Sequence, residues 1–137
     1  MSAKKRILIG EDDPSILKIT RLRLEYEGYD VVDAEDGEAV LQQAAASLPI
    51  HLILLDIQLP KRNGYDVCRV LRHQSATATI PILIFSATEA HQQRLAERCI
   101  EVGATDWIRK PFRTKDLLAK IHRALGEAQE GVHGQAP

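Results

Sequence analysis

Carboxylates stand in this chain where apolar runs stop. Glu11 and Asp12 follow Arg6 to Gly10 (RILIG), and Asp56 follows Leu52 to Leu55 (LILL). Short, unbroken aliphatic runs are what strands buried on both faces require, so each acid falls at a strand end. Ser86 stands in the same place after Ile82 to Phe85, and Lys110 follows the short run Thr105 to Ile108. If the strands are parallel, all five groups meet at one rim. In open parallel sheets that carboxyl edge is where ligands bind. Three carboxylates in one shallow site repel one another unless a cation sits among them. No histidine or cysteine is placed to join them, so oxygen ligands with open positions for water favour Mg²⁺ or Mn²⁺ over zinc. A hydroxyl (Ser86) and an ammonium (Lys110) beside a carboxylate are what holding a phosphoryl group on Asp56 requires. Asp56 is then the nucleophile and the product an acyl phosphate.

The elements that must position these groups are legible in order. Arg6 to Gly10 reads as the first strand, and Asp13-Pro14 as the corner into a helix, with Asp13 at the N-cap and Pro14 at the first helical position. That occupies Asp13 structurally and leaves Glu11 and Asp12 without such a role. The helix from Ser15 to Glu27 carries Lys18, Arg21 and Glu25 on one side and Ile16, Leu17, Ile19 and Leu24 across from them, with Gly28 closing it. Asp30 to Ala34 is a second strand, and Asp36-Gly37 turns into a helix that runs through Ser47. The third strand delivers Asp56, with its side chain expected open to water, into a loop rich in turn chemistry (Pro60, Asn63, Gly64). A helix from Asp66 to His73, a fourth strand from Ile82, a helix from Glu89 to Val102, a fifth strand from Thr105 to Ile108 and a last helix from Arg113 to Leu125 complete the alternation. Strands alternating with helices imply a parallel sheet covered on both faces by right-handed crossovers.

Bulk properties narrow the function. The 137 residues make one domain, long enough to bury roughly 68% of the unfolded surface. A formal charge of -1 gives no sign of a nucleic-acid or membrane-surface binder, so any function through charge must be local. Cys68 and Cys99 lack metal-ligand spacing and read as small apolar side chains in a reducing compartment. No apolar run approaches a membrane span or a signal-peptide core, so the chain is expected to be cytoplasmic. His51, His73, His91, His122 and His133 are scattered and read as surface or structural residues, and Lys61-Arg62 as a solvated loop. The absence of a GxxxxGK loop argues against nucleotide hydrolysis.

Four stretches, ILIGEDDP, LILLDIQLPKRNG, ILIFSAT and GATDWIRKPF, occur in the order and spacing of a response-regulator receiver domain of two-component phosphorelay signalling, which the chain resembles from about Lys5 to Leu125. The resemblance implies a flavodoxin-like (βα)5 sandwich with strand order 2-1-3-4-5 over residues 1–125, and a flexible tail or linker over residues 126–137. It implies that Asp56 is the phosphorylation site and that Asp12, Asp56, the backbone carbonyl of Gln58 and, through water, Glu11 hold Mg²⁺. Ser86 would bind the phosphoryl group, Lys110 would pair with it, the Lys110-Pro111 bond would be cis, and Trp107 would be the aromatic switch. The implied partners are a sensor histidine kinase or histidine phosphotransfer protein upstream and an effector protein docked on the face of the fourth helix, fifth strand and fifth helix.

Two positions depart from the family pattern. Gly10 replaces a β-branched residue, which predicts a loose end to the first strand, and Trp107 replaces tyrosine or phenylalanine. They motivate an alternative, a receiver-like interaction module that works without phosphorylation. Gln58 and Thr88 occupy positions resembling those that tune phosphoryl lifetime. A phosphohydrolase built on Asp56 is the third reading, but its usual second aspartate two residues on is Gln58 here.

Overall fold

The computed structural model describes residues 4–86 and 92–127. Thr88, His91, His133, the expected helix start at Glu89 and the tail beyond Glu127 lie outside the described residues. The elements are β1 (Arg6–Gly10), α1 (Pro14–Tyr26), β2 (Asp30–Ala34), α2 (Gly37–Ala46), β3 (Leu52–Asp56), α3 (Gly64–Arg72), β4 (Ile82–Ser86), α4 (Gln92–Val102), β5 (Asp106–Arg109) and α5 (Thr114–Leu125). Five parallel strands pair in the order β2-β1-β3-β4-β5, as the resemblance implied. Because successive strand residues face opposite sides, Leu8, Ile53, Leu55, Ile82 and Ile84 pack against α2, α3 and α4, while Ile7, Ile9, Leu52, Leu54, Leu83 and Phe85 pack against α1 and α5.

Side-chain oxygens define the helix starts. Asp13 accepts the N–H groups of Ser15 and Ile16 ahead of Pro14, as expected of an N-cap. Asn63 accepts the N–H of Asp66, so α3 begins at Gly64, two residues earlier than the periodicity indicated. Gly64 has no alternative there. A Cβ on it would lie 2.4 Å from the carbonyl oxygen of Asp56, so only glycine lets α3 start against the end of β3.

Two expectations are corrected. Ile19 is 66% exposed and not inward; α1 buries Thr20 and Leu24, and the apolar residues Ile19, Leu22 and Tyr26 lie on the opposite side. At 100° per residue Ile19 is more than 90° from the line through Leu17, Thr20 and Leu24, which is too far to share it. Gly10 does not loosen β1. It pairs in register with Ala34 and Leu55, and a Cβ there would meet Val40 Cγ2 at 2.7 Å and crowd Leu55 and Leu59, so neighbours already fill the volume a side chain would need. Directly after the Gly126 cap of α5, Glu127 accepts a hydrogen bond from Tyr29 Oη at 2.6 Å and pairs with Lys5 at 2.8 Å.

Arg72 fastens two loops that the strands alone would leave loose. Its guanidinium donates to the carbonyls of Gly103 (2.8 Å), Ile80 (2.6 Å), Ala78 and Thr77, joining the end of α3 to the connections on both sides of β4 and α4. These acceptors would otherwise need water or remain unpaired. Arg72→Met is expected to destabilise the fold by about 3 kcal/mol in urea titration, with Arg72→Lys recovering less than half, because an ammonium cannot reach around the same fork. Glu127 supplies a pH prediction. Burial pushes its carboxyl up, but hydrogen bonds from Lys5, Tyr29 and His122 outweigh that and hold it below the ordinary 4.5. A folded value below the unfolded one means stability present above pH 4.5 and lost as the pH falls through the folded value. Glu127→Gln should therefore lower stability in the neutral region and flatten the acid limb of the profile, the variant and the parent converging as the pH falls below about 4.5.

Candidate functional site

Strand register assembles the site. Gly10 is level with Leu55, Asp56 with Phe85, and Ser86 with Arg109, so the residues at or just beyond these ends, Glu11, Asp56, Ser86 and Lys110, occupy one edge of the sheet. Backbone pairing continues one step past the strands through Lys110 N–H to the Ser86 carbonyl (2.7 Å) and Ile57 N–H to the Phe85 carbonyl (3.1 Å). The loop after β3 then folds back, with Gly64 N–H donating to the Ile57 carbonyl at 2.8 Å.

Asp56 is buried, 6% exposed, which corrects the expectation of a side chain open to water. It is the last residue of a strand flanked on both sides, and Lys110 lies against it. Oδ1 accepts the N–H of Gln58 at 3.1 Å and Oδ2 accepts from Lys110 Nζ at 3.1 Å. Glu11 is buried as well, 1% exposed: Oε1 accepts from Lys110 Nζ at 2.6 Å, and Oε2 accepts the N–H of Asp13 at 3.2 Å. Asp12 is exposed at the mouth, yet one carboxylate oxygen each from Glu11, Asp12 and Asp56 lie within 4.8 Å of one another.

One ammonium therefore serves two buried carboxylates while a third acid stands beside them. The consequence is visible in the proton affinities. Burial pushes the Glu11 carboxyl upward, and the neighbouring Asp56 charge adds to that against the pull of Lys110. Burial would lower Lys110, but its hydrogen bond to Glu11 and the charge of Asp56 overcome this and raise it, so it stays protonated. Three acids against one cation leave the pocket formally two charges negative, which a divalent ion would neutralise. The donor set is all oxygen, as hard cations such as Mg²⁺ prefer.

Ser86 is buried at the end of β4, one residue beyond the partner of Asp56. Trp107 is half-buried on β5, level with Ile84, and packs against the core on the α2, α3 and α4 side. Gln58 is exposed and next but one to Asp56. Thus all seven residues singled out from sequence lie on β1, β3, β4 and β5 or in the loops directly after them. What sequence missed is the Lys110–Glu11 bond, which spans 99 residues and has no local signal. Cys68 and Cys99 take no part: both are buried, Cys68 donates to the Val102 carbonyl, and burial pushes their thiols up to about 11 and about 12.

Lys110→Met should leave Glu11 and Asp56 facing each other without a cation and cost about 3 kcal/mol of stability in metal-free buffer, as removal of one partner from a buried ion pair does. Added Mg²⁺ is expected to recover most of that loss, and a thermal shift measured with and without the ion reads it.

Comparison with known proteins agrees with this arrangement. The family model of the response regulator receiver domain matches residues 7–122. The DNA-binding dual master transcriptional regulator RpaA of Synechocystis is 40% identical over 120 residues, 88% of this chain and 48% of that protein. The alkaline phosphatase synthesis transcriptional regulatory protein PhoP of Bacillus subtilis is 36% identical over 125 residues, 91% of this chain and 50% of that protein. The chain thus spans about half the length of these regulators. Among solved structures, the chemotaxis response regulator CheY4 of Vibrio cholerae superposes with a TM-score of 0.81 at 28% identity, over 90% of this chain and 100% of that one. The receiver domain of sensor histidine kinase PA1611 from Pseudomonas aeruginosa, solved with a magnesium ion coordinated in its active site cleft, gives a TM-score of 0.75 at 29% identity over 91% of this chain and 100% of that one. With the family model covering residues 7–122 and the strand order and acidic edge both in place, this chain belongs to the response regulator receiver domain family.

Proposed function

We propose that this receiver accepts a phosphoryl group on Asp56 from a phosphohistidine of a sensor histidine kinase or histidine phosphotransfer protein and uses the resulting charge to alter how its α4-β5-α5 face meets an effector. The observation that carries this reading is the meeting of Glu11, Asp12 and Asp56 oxygens within 4.8 Å, with Lys110 Nζ 3.1 Å from the Asp56 carboxylate. In the transfer an Asp56 oxygen attacks phosphorus, the P–N bond to the donor imidazole breaks, and the leaving nitrogen keeps the electron pair and takes up a proton. Charge then accumulates on the phosphoryl oxygens, where the Lys110 ammonium and the Ser86 hydroxyl would hold it. Glu11, Asp12, Asp56 and the Gln58 carbonyl would hold a Mg²⁺ ion, which supplies neutralisation of the charge shared between phosphoryl oxygens and acids.

The donor has a surface to use. Beside Lys110 and Pro111 opens an apolar groove of about 460 Å³ between α1 and α5, lined by Ile16, Ile19, Thr20, Leu24, Phe112 and Leu117. Exposed Leu22 and Tyr26 extend the apolar side of α1 beyond it. A helix seated there would bring its histidine to the mouth where Asp12 is exposed. For output, the half-buried Trp107 on β5 is the switch residue, placed between the Ser86 edge and the α4 side of the core. Among the described residues no helix is long and apolar enough to cross a membrane, in keeping with a cytoplasmic signalling role.

A small acyl-phosphate or phosphoramidate donor with Mg²⁺ should add one hydroxylamine-labile phosphoryl group by intact mass, and Asp56→Asn should reduce labelling to background. Emission from Trp107, the single tryptophan of the chain, should change on labelling and stay unchanged in the Asn variant. Equal labelling of Asp56→Asn, or labelling indifferent to chelation of the metal, would overturn the assignment.

A further inference from the structure

Charge is unevenly distributed over this nearly neutral chain. A groove between β5 and α5 is lined by Arg109, Arg113, Lys120 and Arg123, with Asp116 as its single carboxylate. Lys120 already has a partner, its Nζ lying 3.1 Å from both carboxylate oxygens of Asp106. The three arginines are exposed, and among the described residues their side chains have no hydrogen-bond or ion-pair partner. Arg6, Arg21, Arg62 and Arg72 are by contrast engaged by acids or carbonyls, whereas among the described residues Arg94 on α4 is also without such a partner and Arg98 lies over the Tyr65 ring. A guanidinium offers a rigid fork of donors matched to a carboxylate, and three such forks along one groove, none with a partner among the described residues, form a repeated acceptor-seeking surface. Pro111 and Phe112 add apolar surface to the same groove.

We propose that this β5–α5 groove docks a carboxylate-rich polypeptide segment of a partner protein, with its acids on Arg109, Arg113 and Arg123 and an apolar side chain on Pro111 and Phe112. The inference rests on the reading of the chain as a phosphorylated switch and names the chemistry of the effector that its output face would take. A nucleic-acid strand fits less well. Its unbroken row of phosphates would run over Asp116 inside the groove and Asp106 at its edge, whereas a peptide can leave a gap or place a lysine opposite these acids. The groove is also tied to the phosphorylation edge: Pro111 follows Lys110, and the Phe112 ring lies 5.2 Å from that of Phe85, the residue before Ser86.

The test is fluorescence anisotropy on the full chain with a short labelled peptide of glutamate and aspartate around one leucine, the same peptide with lysine for every acid, and a single-stranded DNA oligonucleotide. The acidic peptide should bind, more weakly as salt rises from low to physiological strength, and the lysine peptide should not. The combined Arg109→Gln, Arg113→Gln, Arg123→Gln variant should weaken acidic-peptide binding about tenfold, the product of three exposed ion pairs, while Asp56 is labelled by a small phosphodonor as in the parent. Acidic and lysine peptides bound alike, DNA bound more tightly through the same arginines, or self-association of the parent that depends on them would each overturn the proposal. Normal Asp56 labelling with no acidic-peptide binding would overturn this inference and leave the phosphorylation reading intact. Arginine-dependent peptide binding without Asp56 labelling would support the groove and overturn that reading.

Discussion

The Lys110 ammonium lies between two buried carboxylates, and most of the architecture can be understood as the means of keeping it there. Glu11 and Asp56 are brought together by the adjacency of β1 and β3, which no choice of side chain could achieve without the parallel pairing. Neither acid could stay ionised at that depth alone, since the cost of removing a carboxylate from water is met only by close opposite charge and hydrogen bonds. Lys110 provides the charge, and the N–H groups of Asp13 and Gln58 provide the rest. The arrangement is still short of positive charge. That deficit of positive charge is one a divalent cation would make good.

How far the fold could be read beforehand depended on the kind of signal involved. Strands β1, β3 and β4 were legible because burial on both faces demands an uninterrupted aliphatic run, which few other elements show. Pro14 and Gly28 marked the ends of α1 for equally local reasons. The burial of α1 was misread at Ile19 because a helix with apolar residues on two sides does not declare which side meets the sheet. Thr20, a polar residue, turned out to be on the buried one. Asp56 was expected to be wet because it ended a strand. Its enclosure comes from Lys110, 54 residues away, and from the loop closed by Gly64, neither of which is encoded near it. The same holds for Arg72, whose acceptors are backbone carbonyls. Backbone acceptors carry no residue-type signature, so nothing in the spacing could point to them.

The candidate site was more legible than its surroundings. Every residue singled out for it except Trp107, which lies inside β5, stands at or just after a strand end, and in a parallel sheet that placement determines which residues can meet. The two faces of the sheet carry different features. The α1 and α5 side borders the groove beside Lys110, and the α2, α3 and α4 side carries Trp107 and the paired contacts of Tyr65 with Arg98, whose guanidinium lies 4.5 Å from the ring centroid.

Gly10 has a bearing on the ancestry of this chain. Bulk that a strand residue could supply from within the sheet is supplied here from outside it, by Val40 on α2 and Leu59 in the loop that follows Asp56. The three positions share a single volume, with Leu55 at its edge, so valine or isoleucine at the glycine position would need smaller groups at one of the others. Swapping any one of them between cousins would carry a steric debt, and transplanting the trio as a set would not.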